Sequence, residues 1–437
     1  MASARQVALD CLLACERQGA WSDGYLRKAI RTARLDGREA GLATQLAFGV
    51  QQNLILLDWY LEQWSSTPVD KLEPAVRSCL RLGLYQLLFL DRVPAHAAVS
   101  ESVSLARSRS RNPKAGGFVN AVLRTAERAK ESGLPQPEEL SVRTSHPKWL
   151  VEEFRKELPE GELEPLLRAD NGRPAACAQV NTCRCTAEEL LEVLKGEGME
   201  AELHPWLPDC LLLRRTGDLE GSPAFQQGLF YIQDAAARLA VTAAGPEPGM
   251  AVLDACAAPG GKSFAAAIAM GDTGTVRSYD IHPKKSALIT VGAERLGLTS
   301  IRTGAMDAKK FEPSMEGGFD LVIADVPCSG LGIIRKKPDI RFKDPEPLKG
   351  LPKVQGEILA NVSRYVRPGG ALLYATCTLL TRENGAVVKA FLAQNTDFTL
   401  EPFTLPGPVG ETAGMATLWP HRHGTDGFFM AKLRRKA

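Results

Sequence analysis

The sequence predicts a multidomain fold: an all-α part over residues 1–135, a small α+β part over 136–240, and an α/β part over 241–437. Three observations predict it. Apolar residues recur every three or four positions through the first part, the period of amphipathic helices. Beyond residue 250, short apolar strands alternate with helix-prone segments, the pattern of a parallel sheet. And 437 residues are more than one ordinary core supports.

In the first part, Leu42, Leu46, Val50, Leu54, Leu57, Leu61 and Trp64 predict one amphipathic helix. Val76, Leu80, Leu84 and Leu87 predict a second, with Pro74 at its start, where a missing N–H costs nothing. A turn over 91–94 precedes a third, carrying Val99, Val103 and Ala106. It runs into Arg107, Arg109, Arg111 and Lys114 ahead of Gly116-Gly117. That cluster reads either as a solvated helix end or as a loop that contacts phosphate.

Pro135 and Pro137 mark a linker. A helix is expected from Ser145-His146-Pro147-Lys148 onward, then a loop at 171–174, a strand at 178–182, a helix at 188–194 and a strand at 210–213. Cys183 and Cys185 have only His204 and Cys210 nearby as candidate co-ligands, so no metal site is expected. Residues 228–234 are read as the lead into the α/β part.

The α/β part is built around Val252-Leu253-Asp254-Ala255-Cys256-Ala257-Ala258-Pro259-Gly260-Gly261-Lys262-Ser263. An apolar run ends in a small glycine-rich turn, and an alanine-rich segment follows: strand, loop, helix. Glycine lets backbone N–H groups approach a ligand, and the new helix turns its positive end to the same point. The loop is neither a G-x-G-x-x-G nor a Walker sequence. A second strand, 276–280, ends in Asp280, 26 residues beyond Asp254. Rossmann-like sites place a ribose-binding carboxylate about 20 residues past the glycine turn. Further strands are expected at 301–303, followed by Asp307; at 319–325, ending in Asp325; and at 369–377, ending in Cys377. A last strand at 427–433 is expected to end the sheet. Asp254, Asp280, Asp307, Asp325 and Cys377 thus all fall at carboxyl ends of strands, where open α/β sheets bind ligands.

Two strand exits carry the distinctive chemistry: Asp325-Val326-Pro327-Cys328-Ser329-Gly330 and Ala375-Thr376-Cys377-Thr378. A cysteine thiolate can add to carbon-6 of a pyrimidine and turn carbon-5 into a nucleophile for an electrophilic methyl group. A carboxylic acid near ring nitrogen-3 can hydrogen-bond there as charge builds, and Asp325 is placed for that. A second thiol can assist loss of the carbon-5 proton or release of product. The residues alone leave open which cysteine attacks.

Leu80-Arg81-Leu82-Gly83-Leu84-Tyr85-Gln86-Leu87, Val93-Pro94-Ala95-His96-Ala97-Ala98-Val99 and Phe118-Val119-Asn120-Ala121-Val122-Leu123-Arg124 resemble the NusB-like RNA-binding domain, a small helical bundle. The cofactor loop, the Pro-Cys and Thr-Cys motifs, Arg335-Lys336-Lys337-Pro338-Asp339-Ile340 and 420–429 resemble the bacterial RsmB (Sun/Fmu) branch of the RNA cytosine-carbon-5 methyltransferases. Together the likeness covers nearly the whole chain. It implies a class I, Rossmann-like methyltransferase domain behind a NusB-like domain and a small RNA-binding subdomain. It implies that Cys256, Ala257, Ala258, Pro259, Gly260, Gly261 and Lys262 cradle S-adenosylmethionine, that Asp280 holds its ribose and Asp307 its adenine side, and that Asp325 lies between cofactor and base. Cys377 is then the nucleophile and Cys328 the release cysteine, with Lys262 steadying Asp325 or the cofactor carboxylate. Arg335, Lys336 and Lys337 are implied to meet RNA phosphate, and Arg109, Arg111 and Lys114 are candidates for the same from the basic cluster itself. One departure is visible: Gln179-Val180-Asn181 stands where the family commonly has Arg-Val-Asn.

Composition bounds the reading. Apolar content of 44% and charged content of 24% are those of a globular protein. No apolar run approaches the roughly 18 residues a membrane span needs, and the N-terminus lacks a signal-peptide core. Ten cysteines without a disulfide-scaffold pattern suit a reducing cytoplasm. The net charge of +2 divides into +5 over 1–135, −9 over 136–250 and +6 beyond, so the outer parts are those that can face a polyanion. The expected activity is methyl transfer to carbon-5 of a cytosine in 16S rRNA by a monomer. Its rivals are the same chemistry on another RNA such as tRNA, a non-catalytic RNA-binding factor, and a DNA cytosine methyltransferase. The intact cysteine pair argues against the second, the helical part and Thr-Cys motif against the third.

Overall fold

The structure is a computed structural model and describes residues 2–18, 22–215 and 219–437. The chain forms two units. One comprises residues 1–172 with 334–343, the other 173–333 with 344–437.

The first unit is helical: α1 (Ala4–Gln18), α2 (Ser22–Ala33), α3 (Gly37–Gln52), α4 (Leu54–Trp64), α5 (Pro74–Phe89), α6 (Ala95–Arg109) and α7 (Ala115–Ser132), then the shorter α8 (Leu140–Arg143), α9 (Lys148–Glu157) and α10 (Leu163–Asp170). Helix α5 is buried on most of its faces, with Leu80, Leu82 and Leu84 fully inside. A Cβ at position 83 would lie 2.5 Å from Leu123, so glycine there lets α7 press against α5. The continuous periodicity of 42–64 is two helices, not one. Asn53 breaks it: its backbone leaves the helical region, and its side chain caps the end of α3 by donating to the Gly49 carbonyl at 2.9 Å beside its own N–H. The segment 334–343 returns to this unit as a 3₁₀ turn, Pro338–Phe342, with Arg341 fully buried.

The second unit holds two main sheets. The smaller comprises β1 (Ala176–Val180), β2 (Glu200–Leu203), β3 (Cys210–Arg215) and β4 (Phe230–Ile232), antiparallel in the order β2-β3-β1-β4, with α11 (Ala187–Gly196) and α12 (Pro223–Gln226). Residues 228–234 therefore close this sheet instead of opening the next. Strand β1 stops at Val180 because the Asn181 side chain turns to the carbonyls of Gly228 and Leu296, both at 2.9 Å.

The larger sheet follows α13 (Ala235–Ala244). Strands β5 (Ala251–Asp254), β6 (Thr275–Asp280), β7 (Ile301–Ala305), β8 (Phe319–Asp325) and β9 (Val366–Thr376) are parallel, in the order β9-β8-β5-β6-β7. After them come β10 (Phe398–Leu400), the separate hairpin of β11 (Phe403–Leu405) and β12 (Gly410–Thr412), β13 (Met415–Leu418) and β14 (Phe428–Arg435). Strand β14 runs antiparallel beside β9 and carries β10 and β13 on its other edge, so it is interior to the sheet, not its end. Pairing partners are not written in a strand's own alternation, which is why the order escaped the sequence. Successive residues of β8 serve opposite faces: Leu321 and Ile323 pack with α13, α14 (Gly261–Ala269) and α15 (Pro283–Leu296), and Val322 and Ala324 with α17 (Leu351–Val362) and α18 (Gly385–Gln394). Each fully buried Leu, Ile or Val contributes about 1.5–3 kcal/mol. The short α16 (Pro345–Leu348) and α19 (Pro420–His423) lie in the connections. Among the described residues, no helix is long and apolar enough to cross a membrane.

Candidate active site

The glycine-rich turn joins β5 to α14. Gly260 has φ of +111°, and a Cβ there would lie 2.6 Å from the Phe264 ring, so both the backbone and the space require glycine. Asp254 ends β5 fully buried and accepts from the Ser263 hydroxyl at 2.7 Å. Burial pushes its carboxyl up to about 7, against the pull of Ser263 and Lys262. Asp280 ends β6 and accepts from the His282 N–H at 3.0 Å; Asp307 follows β7 and accepts from the Lys309 N–H at 3.1 Å. The Cys256 thiol lies where these groups meet. Burial first, then the charges of Asp254, Asp325, Asp280 and Asp307, drive it far above its ordinary range. Four carboxylates around one loop and one helix start make a donor set for a cationic ligand bearing hydroxyls.

The cysteine motifs leave adjacent strands. Asp325 of β8 lies opposite Ala375 of β9 in parallel register, so Cys328 and Cys377 emerge side by side. Their sulfurs are 3.2 Å apart and both are free, half-buried thiols. Gly332 N–H donates to the Cys377 carbonyl at 2.9 Å, and a Cβ at 332 would lie 1.9 Å from the Gly427 oxygen; the second turn therefore passes too close for any side chain. Lys262, buried in the first turn of α14, reaches Asp325 at 2.5 Å. Burial alone would lower its pKa; Asp325, Asp254 and the Cys377 sulfur outweigh that and raise it. The Lys262 ammonium thus pairs with Asp325 and also interacts electrostatically with the Cys377 sulfur.

Comparison with known proteins bears on this site. The chain is 37% identical over 99% of both chains to the probable ribosomal RNA small subunit methyltransferase B of Bacillus subtilis (strain 168). It is 34% identical over the full length of both to the protein of the same description from Synechocystis. The profile of the RsmB/F 16S rRNA methyltransferases matches residues 241–434, that of the NusB family 2–128, and that of the RsmF/B-like ferredoxin-like domain 146–220. The chain belongs to the RsmB/F methyltransferase family. The crystal structure of PH0851 superposes with a TM-score of 0.82 at 26% identity, covering 99% of this chain and 98% of that one.

In this family member, Asp254, Cys256, Lys262, Asp280, Asp307, Asp325, Cys328 and Cys377 gather at one rim of the larger sheet, with Ala257, Ala258, Pro259, Gly260 and Gly261 in the loop beneath. The six basic residues belong to the other unit: Arg109 ends α6, paired with Asp10 at 2.8 Å; Arg111 and Lys114 are exposed beyond it; Arg335, Lys336 and Lys337 lie in the returning segment. Gln179 is buried in β1 and donates to the Gln233 carbonyl at 2.9 Å, an interior position with no phosphate-facing surface. Among the described residues, no group of three or more His, Cys, Asp or Glu is placed to hold a metal. Sequence reasoning missed Gln355, Glu383 and Asn384, all buried behind the cysteine loops. Their only signal was an acid–amide pair set just after the apolar Leu379-Leu380.

Proposed function

We propose that this chain transfers a methyl group from S-adenosylmethionine to carbon-5 of a specific cytosine in 16S rRNA, through a covalent bond from Cys377 to carbon-6. The observation that carries this reading is the 3.2 Å sulfur pair beside the Lys262–Asp325 ion pair. Cofactor specificity follows from the donor set: Asp280 and Asp307 suit the nucleoside hydroxyls and base edge, the start of α14 suits the carboxylate, and the encircling acids suit an amino group and sulfonium. When bound, the cofactor supplies the electrophilic methyl.

The protein's part is addition and release. The Cys377 thiolate, facing the Lys262 ammonium, forms the S–C6 bond, and the C5=C6 pair moves to carbon-5. As charge builds on the ring, a proton passed from the Lys262 ammonium to Asp325 lets the resulting carboxylic acid donate a hydrogen bond to nitrogen-3. After methylation the carbon-5 proton leaves to water, and the S–C6 pair returns to Cys377. The relatives' descriptions as small-subunit methyltransferases support 16S rRNA over tRNA. The deciding experiment is bisulfite sequencing of 16S rRNA from a deletion strain and from the strain complemented with this chain. One cytosine should lose and regain protection; an unchanged pattern overturns the reading.

Two measurements follow from the same reading. Asp280→Ala should weaken S-adenosylmethionine binding by about 1.5–3 kcal/mol, the worth of a charge-assisted hydrogen bond, read by calorimetry on the folded variant. Unchanged affinity would remove Asp280 from the site. Replacing Arg335, Lys336 and Lys337 together by alanine should flatten the slope of log K against log salt for a 16S fragment by roughly 2, since each single-strand phosphate contact contributes about 0.7. An unaltered slope would mean that this segment meets no phosphate.

A further inference from the structure

The two cysteine loops are held from behind by a dipeptide that belongs to neither motif. Glu383 is fully buried, and one of its carboxylate oxygens accepts from the Ser329 N–H at 2.9 Å and from Gln355 Nε2 at 3.0 Å. The same Gln355 nitrogen donates to the Pro327 carbonyl at 3.0 Å, so Cys328 is anchored on both sides through Glu383 and its bridge. Asn384 does the equivalent for the other loop. Its Oδ1 accepts from the Thr376 hydroxyl at 2.6 Å and its Nδ2 donates to the Thr378 carbonyl at 3.0 Å, bracketing Cys377. A Ser329–Thr378 hydroxyl contact of 2.7 Å ties the loops together. The other Glu383 oxygen has no hydrogen-bond partner, which is unusual for a buried carboxylate, whose lone pairs are normally all satisfied.

We propose that Glu383 and Asn384 are the positioning residues of the two-cysteine site, and that the Glu383 charge assigns the two sulfurs different roles. The proposal rests on the cysteine-adduct reading above. An amide is enough to hold a loop, as Asn384 shows; a carboxylate at 383 adds a charge. The titratable groups facing Cys328 are Cys377, Glu383, Asp325 and Tyr374, and all of them are neutral or negative when they titrate. Its contact with Cys377, burial, and those negative neighbours hold the Cys328 thiol well above its ordinary range. The Lys262 ammonium, by contrast, interacts favourably with the Cys377 sulfur. The proton of the sulfur pair is therefore held at Cys328. Before attack, the Cys328 S–H donates to the nucleophile. At release, when the S–C6 pair returns to Cys377 and the carbon-5 proton passes to water, the same S–H stabilises the departing thiolate. Without Glu383 the proton would be shared more evenly, and departure would slow.

The experiment separates position from charge in the full-length protein. Glu383→Gln can keep the Ser329 acceptor and loses the charge; Glu383→Ala loses both. The first readout is iodoacetamide labelling of Cys328 and Cys377 as a function of pH, mapped by mass spectrometry, with no RNA present. In Glu383→Gln, Cys328 should label about tenfold faster at a fixed pH near 8, because more of it is thiolate. The second is turnover on 16S rRNA. Glu383→Ala should lower kcat at least about tenfold with KM for RNA within twofold; both variants should leave a protein–RNA adduct on a denaturing gel, because both lose the charge, and Glu383→Gln should lose less kcat than Glu383→Ala because it keeps the Ser329 anchor. Unaltered S-adenosylmethionine affinity shows that each variant has folded. Wild-type labelling profiles in both variants would overturn the charge assignment, and wild-type turnover in Glu383→Ala would overturn positioning. Because labelling uses no substrate, a wild-type protein that fails to methylate cytosine would sink the functional reading alone and leave the labelling result to judge Glu383.

Discussion

Cys377→Ala should abolish methylation and form no covalent complex with RNA, whereas Cys328→Ala should accumulate one. The two thiols are 3.2 Å apart, so distance does not choose between them; their surroundings do. Cys377 has a buried ammonium in view, and Cys328 has carboxylates. A thiolate is stabilised by the first setting and opposed by the second. Removing the nucleophile from a covalent route costs the whole advantage of splitting the reaction, about 10⁴-fold or more in kcat. Removing Cys328 leaves addition and methyl transfer in place but takes away the donor that meets the departing sulfur, so the adduct persists. Each variant is run with 16S rRNA and S-adenosylmethionine on a denaturing gel, and the linked peptide is mapped. An adduct through Cys328 in the Cys377→Ala protein would reverse the assignment. Methylation that survives both changes would end the covalent mechanism for this chain.

What was legible in the sequence was local. Strand, glycine turn and helix at 252–270 could be read because each step is a property of neighbouring residues: an apolar run, a position that needs positive φ at Gly260, an alanine-rich continuation. The acids at the strand ends followed from the same alternation. Less legible was anything that depends on which strands pair. That Cys328 and Cys377 lie side by side requires β8 next to β9; the strand reading put both at neighbouring strand ends, and the pairing itself comes from the structure. The interior place of β14 and the use of Phe230–Ile232 to close the smaller sheet were missed for the same reason. Glu383 and Asn384 were hard to read because their partners, backbone and side-chain groups alike, lie 6 to 54 residues away, and no spacing rule links an acid or amide to them. The segment 334–343 is the sharpest case. It was read as part of the α/β region from its position in the chain, yet it packs into the helical unit.

That return segment makes Arg341→Ala the most damaging single change expected in the helical unit. Arg341 is fully buried there, and its Nη1 donates to the carbonyls of Gln52 and Ser145, each at 2.9 Å, and to Asn171 Oδ1 at 3.0 Å. Burial lowers its pKa to about 10, and the Asp170 carboxylate works against that shift. Beside them the fully buried His146 is kept neutral by burial and by Arg341 itself, its Nδ1–H given to the Thr144 carbonyl at 2.8 Å. Truncating Arg341 removes a donor from three acceptors at once and takes a positive charge from the surroundings of Asp170. Each buried acceptor left without its donor costs about 1–3 kcal/mol, so the loss is a large share of the roughly 5–15 kcal/mol that holds a domain folded. Urea unfolding should show the loss, and amide exchange in α3 and α9 should rise while exchange in β8 and β9 changes little. Arg341→Lys should recover part of the loss, because a single nitrogen, Nη1, serves all three acceptors and an ammonium carries three donors. Arg341→Ala combined with Asp170→Asn should be more stable than Arg341→Ala alone, since the buried carboxylate that Arg341 offsets is gone. If the double variant is no better than the single, the Asp170 charge is not what makes Arg341 necessary, and the lost hydrogen bonds to Gln52, Ser145 and Asn171 carry the whole effect.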